Sequence, residues 1–181
     1  MQGDGKNGEI TDQDVFAYED YLEYLKITRS GQRVVLNAFG ADKNYKYYYK
    51  EFKEVDMKVL VFTNLLLNQQ YVVIYSDFLK NNSAIYKSAD ALRALNLKVE
   101  INKEVLDAYI LLEEFLEPKI EKRIKKIFIG NEVGGAVANV MALSLIANSG
   151  FRKDEIEVVS FGTPYFLATK ALDLNSSFVN L

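Results

Sequence analysis

Histidine and cysteine are both missing from this chain of 181 residues. Without cysteine there is no disulfide framework and no thiolate metal site. Without histidine as well, a zinc ion would find only carboxylates and water as ligands, so we expect neither a metal nor a cofactor. Histidine is also the most frequent general base in enzymes, and hydrolysis that depends on it is excluded for this sequence.

The net charge is small, and the sequence contains no long apolar run. A net charge of −3 gives no reason to expect nucleic acid as a partner. No apolar run approaches the roughly 20 residues that span a bilayer, so we expect no transmembrane segment. Residues 1–12 are polar and contain no apolar signal-peptide core. We therefore expect a cytoplasmic protein.

The composition is that of a globular protein, with 49% hydrophobic and 26% charged residues. The length is sufficient for a substantial core. No internal repeat, low-complexity linker or shift in composition divides the chain. We expect residues 1–10 to be disordered and residues 11–181 to form a single domain.

Hydrophobic periodicity predicts helices that alternate with strands. The first helix is expected to begin at Thr11 or Asp12 and to bury Val15, Tyr18, Leu22 and Leu25. The remaining predicted helices are 34–39, 83–96, 103–123 with an interruption at Pro118, 133–148 and 167–172. The predicted strands are 58–63 and 71–76, which form either a hairpin or two adjacent strands, followed by 98–101, 127–129, 156–161 and 177–181. This alternation indicates βαβ units and a mostly parallel sheet.

The segment Tyr45–Phe52 is rich in tyrosine and lysine and allows two interpretations. Its aromatic rings could stack on nucleic-acid bases or lie at a membrane surface. The interpretation that we favour is a helix that continues from residues 34–39, with half-buried tyrosine rings and solvated lysines.

A basic cluster, defined as Lys122, Arg123, Lys125 and Lys126, follows the predicted helix 103–123. A phosphate or lipid-headgroup site is one interpretation. The other, which we favour, is that these cations complement the negative end of the helix dipole.

The turn between strand 127–129 and helix 133–148 carries the strongest functional signal. It reads Gly130-Asn131-Glu132-Val133-Gly134-Gly135. A strand, a glycine-flanked turn and a helix are the layout of the G-x-S-x-G elbow, which lifts a serine nucleophile above the sheet of an α/β-hydrolase. Here Glu132 occupies the position of the serine. A dinucleotide-binding loop or a P-loop is less consistent with this glycine spacing.

From about Lys58 to Leu181, the chain resembles the class 3 (fungal-type) lipase family. The family's elbow, Gly-His-Ser-Leu-Gly-Gly-Ala, corresponds to residues 130–136, and its Phe-Gly-x-Pro motif corresponds to residues 161–164. The resemblance implies an α/β fold, namely an α/β-hydrolase-like three-layer sandwich whose mostly parallel sheet has helices on both faces. It places the remnant of the oxyanion region at Ser76, Asp77 and Phe78, where the family's Arg-Gly-Thr pattern is not kept. It also implies that the acid and the histidine follow the strand ending at Leu181, so we expect a C-terminally truncated version of the fold.

Two functional hypotheses remain open. In the first, the protein is catalytically inactive and binds a protein partner or an apolar or lipid ligand. In the second, Glu132 supports an unconventional carboxylester hydrolysis, or the chain is a fragment of a longer lipase-family protein of lipid metabolism. In the inactive protein, the Glu132 carboxylate would accept hydrogen bonds from backbone N–H groups of the elbow and the helix N-terminus. An exposed sheet edge also predicts a homodimer or a longer chain.

Overall fold

The computed structural model describes residues 12–77, 85–86, 101–163 and 178–181. The helices are α1 (Asp12–Ser30), α2 (Gln32–Phe39), α3 (Lys103–Leu116) and α4 (Glu132–Asn148). The strands are β1 (Tyr45–Phe52), β2 (Met57–Asn64), β3 (Gln69–Ser76), β4 (Ile85–Tyr86), β5 (Ile101–Asn102), β6 (Lys125–Asn131), β7 (Ile156–Phe161) and β8 (Phe178–Asn180). The predicted disordered segment 1–10 and the predicted helix 167–172 lie outside the described residues. Of the predicted helix 83–96, only Ile85–Tyr86 is described, and it is a strand paired with β5.

Six strands form the main sheet in the order β1-β2-β3-β6-β7-β8. The β1–β2 and β2–β3 pairs are antiparallel, whereas β3, β6, β7 and β8 run parallel to one another. Helix α4 connects β6 to β7 and so provides the crossover that two parallel neighbours require. The predicted hairpin and the predicted parallel strands are confirmed.

Helices cover both faces of this sheet. Helices α3 and α4 pack on one face, and α1 and α2 pack on the other. Strand β6 lies at the centre: Phe128 belongs to the core beneath α3 and α4, and Ile127 and Ile129 belong to the opposite core. Burial on both faces explains why its apolar run has no polar alternation. The predicted three-layer sandwich is confirmed.

The Tyr/Lys-rich segment is strand β1, so its prediction as a helix is wrong. Tyr45, Tyr47 and Tyr49 are partly buried against the core beneath α1 and α2, whereas Lys46 and Lys50 are exposed. This burial has a period of two, which is the period of a strand. Pairing with β2 along all eight residues stabilises the extended form. The prediction of half-buried tyrosines was correct.

Helix α1 is correctly predicted, but its buried face is not. Val15 and Leu22 are 45% and 49% exposed, so these two residues of the expected apolar stripe are not buried against the sheet. Tyr24 packs onto the sheet instead, with its ring centroid 4.9 Å from that of Phe62 and 5.4 Å from that of Tyr71. A tyrosine ring buries more apolar area than a valine side chain, so the tyrosines determine the face.

Helix α3 ends at Leu116, seven residues before the predicted end, and a 3-10 turn over Glu117–Lys119 follows it. Pro118 lies in that turn, where a residue without an N–H group cannot continue the helix. Lys119 donates to the carbonyl of Phe115 at 3.0 Å and so satisfies the helix terminus. Lys125 and Lys126 of the basic cluster belong to β6 and do not lie at this terminus. Our favoured interpretation is therefore wrong for these two residues.

Candidate functional site

The elbow joins the end of β6 to the start of α4 at Glu132. Glu132 has a φ of 52°, which lies in the left-handed region that residues other than glycine rarely adopt. Such backbone strain costs on the order of 1–3 kcal/mol and occurs preferentially at functional sites. The structure therefore contains the strained strand–turn–helix that the sequence predicts, with a carboxylate at its apex.

Close backbone approach explains the glycines of the elbow. A Cβ atom on Gly130 would lie 2.5 Å from the carbonyl oxygen of Gly134, and one on Gly134 would lie 2.6 Å from that of Ile74. A Cβ atom on Gly135 would overlap Thr163 Oγ1. Helix α4 can therefore pack tightly against β3 and β7 only because these positions carry no side chain. Val133, the remaining elbow residue, is buried in the core beneath α3 and α4.

Asn131 connects the elbow to the remnant of the oxyanion region. The N–H group of Ser76 donates to Asn131 Oδ1 at 2.9 Å, and Asn131 Nδ2 donates to the carbonyl of Ser76 at 3.2 Å. Two predicted site segments that are 55 residues apart are thus held together. Asp77 is exposed, and its N–H group donates to the carbonyl of Asp56 at 2.9 Å. Phe78 lies outside the described residues.

The Glu132 carboxylate lies beside the end of β7. Its Oε1 atom would be 3.4 Å from a Cβ atom on Gly162, which itself has a φ of 62°. No described residue forms a hydrogen bond with this carboxylate. The backbone hydrogen bonds that we expected at Glu132 are therefore not formed within the described part of the chain.

A polar cluster next to the elbow was missed from the sequence. Ser160 Oγ donates to Asn180 Oδ1 at 3.0 Å, and Asn180 exchanges hydrogen bonds with the backbone N–H and carbonyl groups of Thr163, both at 3.3 Å. Thr163 Oγ1 is buried, and no partner for it is described. The available signal was that Ser160 and Asn180 are polar residues within predicted strands, which the parallel register places opposite each other.

Comparison with known proteins identifies the family. The sequence family described as "Lipase (class 3)" matches residues 59–173, which is more than half of the chain. The chain belongs to the class 3 lipase family. The matched range includes the turn at residues 130–135, which has Glu132 at its apex. No curated protein matches the chain in sequence.

Solved structures of fungal lipases have the same fold. The chain superposes on a lipase from Rhizopus microsporus var. chinensis with a TM-score of 0.67 at 13% identity. It superposes on the triacylglyceride lipase of Rhizomucor miehei with a TM-score of 0.61 at 17% identity, and on the Lip2 lipase of Yarrowia lipolytica with 0.61 at 14%. Each match covers 87% of this chain. The chain spans 60%, 64% and 62% of the length of those three chains, respectively.

A helix that spans a membrane needs about 20 largely apolar residues. Within the described ranges, no helix is long and apolar enough to cross a bilayer.

Proposed function

We propose that this class 3 lipase-family protein does not hydrolyse esters and acts by binding a protein partner or an apolar or lipid ligand. The observation that supports this proposal is Glu132 at the strained apex of the elbow, where the resemblance places a serine nucleophile. In serine-dependent ester hydrolysis, a serine attacks the acyl carbon while a histidine takes its proton. The chain has glutamate at the nucleophile position and no histidine.

A carboxylate on the elbow does not replace these groups. If Glu132 attacked a substrate, the covalent adduct would still have to be hydrolysed by a water molecule that a base activates. No histidine of this chain can act as that base. Glutamate also extends further from the backbone than serine, and a displacement of about 1 Å can reduce a rate about 100-fold.

One structural observation favours a second candidate, an unconventional carboxylester hydrolase that uses Glu132. The residue keeps a strained backbone, and no described hydrogen bond engages its carboxylate. This candidate includes a longer lipase-family protein of lipid metabolism in which the missing base lies beyond this chain.

Hydrolysis of short- and long-chain nitrophenyl esters tests the proposal. The purified protein is compared with Glu132→Gln, which keeps the side-chain shape and removes the charge. We expect neither protein to exceed the buffer rate, and intact-mass spectrometry to find no covalent adduct on either. Turnover by the unaltered protein that is lost in Glu132→Gln would establish the hydrolase instead.

Ligand binding is measured on the same two proteins with a fluorescent fatty acid. Saturable binding by both would support the apolar-ligand form of the proposal. Without saturable binding, the protein-partner form would be favoured.

A further inference from the structure

The turn between β2 and β3 exposes three consecutive leucines. Leu65, Leu66 and Leu67 are 55%, 75% and 62% exposed, respectively. We call this segment the leucine tip. Its neighbours along the chain, Asn64 and Asn68, are polar, so the apolar surface is confined to the end of the hairpin. Single exposed leucines are ordinary on protein surfaces, but a contiguous apolar patch marks an interaction site.

Hydrogen bonds fix the leucine tip in this conformation. Asn64 Oδ1 accepts from the N–H groups of both Leu66 and Leu67, each at 3.1 Å. The N–H group of Leu65 donates to the carbonyl of Asn44 at 2.8 Å. The leucines are therefore presented by an ordered turn on a hairpin whose two strands pair along all eight residues.

Basic residues surround the tip. Lys46 pairs with Thr63 next to the turn, Lys43 precedes Asn44, and Lys125 pairs with Gln69 where β3 begins. The side chain of Gln70 forms hydrogen bonds with the backbone of Lys119 and Glu121. These bonds bring Lys122 and Arg123 to the same end of the sheet. Three carboxylates moderate this charge: Asp42 precedes Lys43 and accepts from the Asn44 N–H group at 2.9 Å, Glu121 is 3.9 Å from Lys46, and Glu157 is 2.6 Å from Lys125. Lys43, Lys122 and Arg123 form no ion pair with a described residue.

We propose that the leucine tip inserts into the interface of a membrane that carries anionic lipid headgroups. A protruding apolar tip with cations at its base matches such a surface, because leucine side chains enter the acyl boundary while lysine and arginine remain at the phosphates. A protein groove would not require the basic surround. The local positive charge contrasts with the net charge of −3 of the whole chain.

This surface is separate from the elbow. Strand β3 begins beside the tip and ends at Ser76, which is hydrogen-bonded to Asn131. The tip and the elbow therefore lie at opposite ends of the strands. A strand of this length spans about 25 Å. Docking through the tip therefore leaves Glu132 facing away from the membrane, and the inference does not depend on whether Glu132 is catalytic.

Cosedimentation with phosphatidylcholine vesicles, with or without phosphatidylserine, tests the inference. The variant Leu65→Ala/Leu66→Ala/Leu67→Ala removes the tip. The matched control, Leu22→Ala/Leu36→Ala/Ile110→Ala, removes three aliphatic side chains of comparable exposure from helices. We expect the unaltered protein and the control to bind vesicles with phosphatidylserine, and the tip variant to bind at least about tenfold more weakly. Lys43→Gln/Lys122→Gln should also bind about tenfold more weakly, and added salt should weaken binding.

A fluorescent probe tests insertion directly, because the chain contains no tryptophan. In Leu66→Trp, vesicles with phosphatidylserine should shift the emission to shorter wavelength, whereas Ile110→Trp should show no shift. Equal binding by the tip variant and the unaltered protein would overturn the proposal. So would equal binding to vesicles without phosphatidylserine, or no vesicle binding at all. A dimer in sedimentation velocity that only the tip variant loses, without vesicle binding, would assign the tip to a second copy and also overturn it.

Discussion

Glu132 and Gly134 lie two residues apart in the elbow and differ in the space around them. Gly134 has the carbonyl oxygen of Ile74 only 2.6 Å from where a Cβ atom would lie. Because that oxygen is part of the β3 backbone, a rotamer change cannot relieve the contact. Glu132 already carries a side chain, and no described residue forms a hydrogen bond with it.

Substitution of both positions by alanine should therefore have different effects. We expect Gly134→Ala to lower the free energy of unfolding by about 1–3 kcal/mol or more, since α4 must move away from β3. Glu132→Ala should leave the fold intact and change that free energy by no more than about 1–2 kcal/mol in either direction. Urea denaturation of the two variants and the unaltered protein measures both values. Unfolding of Glu132→Ala, or full stability of Gly134→Ala, would contradict this account.

At the scale of elements, Asn131 joins the carboxyl ends of β3 and β6. Its side chain provides the acceptor for the Ser76 N–H group and the donor for the Ser76 carbonyl. Ser76 is 3% exposed, so water has little access to its backbone. Removal of the side chain leaves two polar groups without these partners, which costs more than two ordinary hydrogen bonds contribute.

We expect Asn131→Ala to destabilise the protein by about 2–3 kcal/mol. Asn131→Asp is a second variant that keeps an acceptor for the Ser76 N–H group but places a charged oxygen against the Ser76 carbonyl, so we expect it to be at least as destabilising as Asn131→Ala. Urea denaturation gives the stabilities, and hydrogen exchange at the Ser76 amide reports the local bond. Unaltered stability of either variant, or unchanged exchange in Asn131→Ala, would show that Asn131 does not hold these strands together.

The region from β6 to β7 could be predicted closely from the sequence because local and global signals agree there. The apolar run predicts a strand, the glycines a tight turn and the alanine-rich segment a helix, and Gly150, which has a φ of 71°, follows the end of α4. Strand β1 was missed because its tyrosines suit either a helix or a strand, and pairing with β2 determines the outcome. The hydrogen bonds among Ser160, Thr163 and Asn180 depend on strand order, which no local pattern specifies.

At the scale of the whole molecule, the two ends of the sheet differ in chemistry. The elbow, the Asn131–Ser76 pair and the polar cluster around Asn180 lie at the carboxyl end of the parallel strands, where open α/β sheets bind their ligands. The leucine tip and its basic surround lie at the other end. The fold therefore allows the ligand of the proposed function to bind at one end of the sheet while the leucine tip contacts a membrane at the other.

The core between the sheet and helices α1 and α2 is rich in tyrosine. Tyr24 and Tyr71 pack on Phe62, with the rings of Phe62 and Tyr71 stacked at 4.7 Å between centroids, and Tyr21 packs on Tyr71. Burial raises the pKa of all three phenols above the ordinary value of 10.0. On the opposite face, burial raises the pKa of Tyr109 to about 12, although a hydrogen bond to Ser144 acts in the other direction.

These shifts predict loss of stability at alkaline pH. A phenol whose pKa is higher in the folded state ionises first in the unfolded chain, so its contribution to stability is complete below pH 10 and is lost as the pH rises towards the folded value. Burial lowers the pKa of Lys126, which has the opposite effect, but this ends near its ordinary value of 10.5. Between about pH 9 and pH 11, we expect the free energy of unfolding to fall by about 2 kcal/mol, after allowance for the partial exposure of the rings.

Urea denaturation across this range measures the loss, and tyrosinate absorbance follows the ionisation. Tyr21→Phe/Tyr24→Phe is the informative variant, because it keeps both rings and removes two of the phenols that would ionise on unfolding. It should lose less stability than the unaltered protein above pH 10, while the two proteins should behave alike between pH 7 and about pH 9. An identical alkaline loss in both would mean that the stability of the three-layer sandwich is not coupled to ionisation beneath α1.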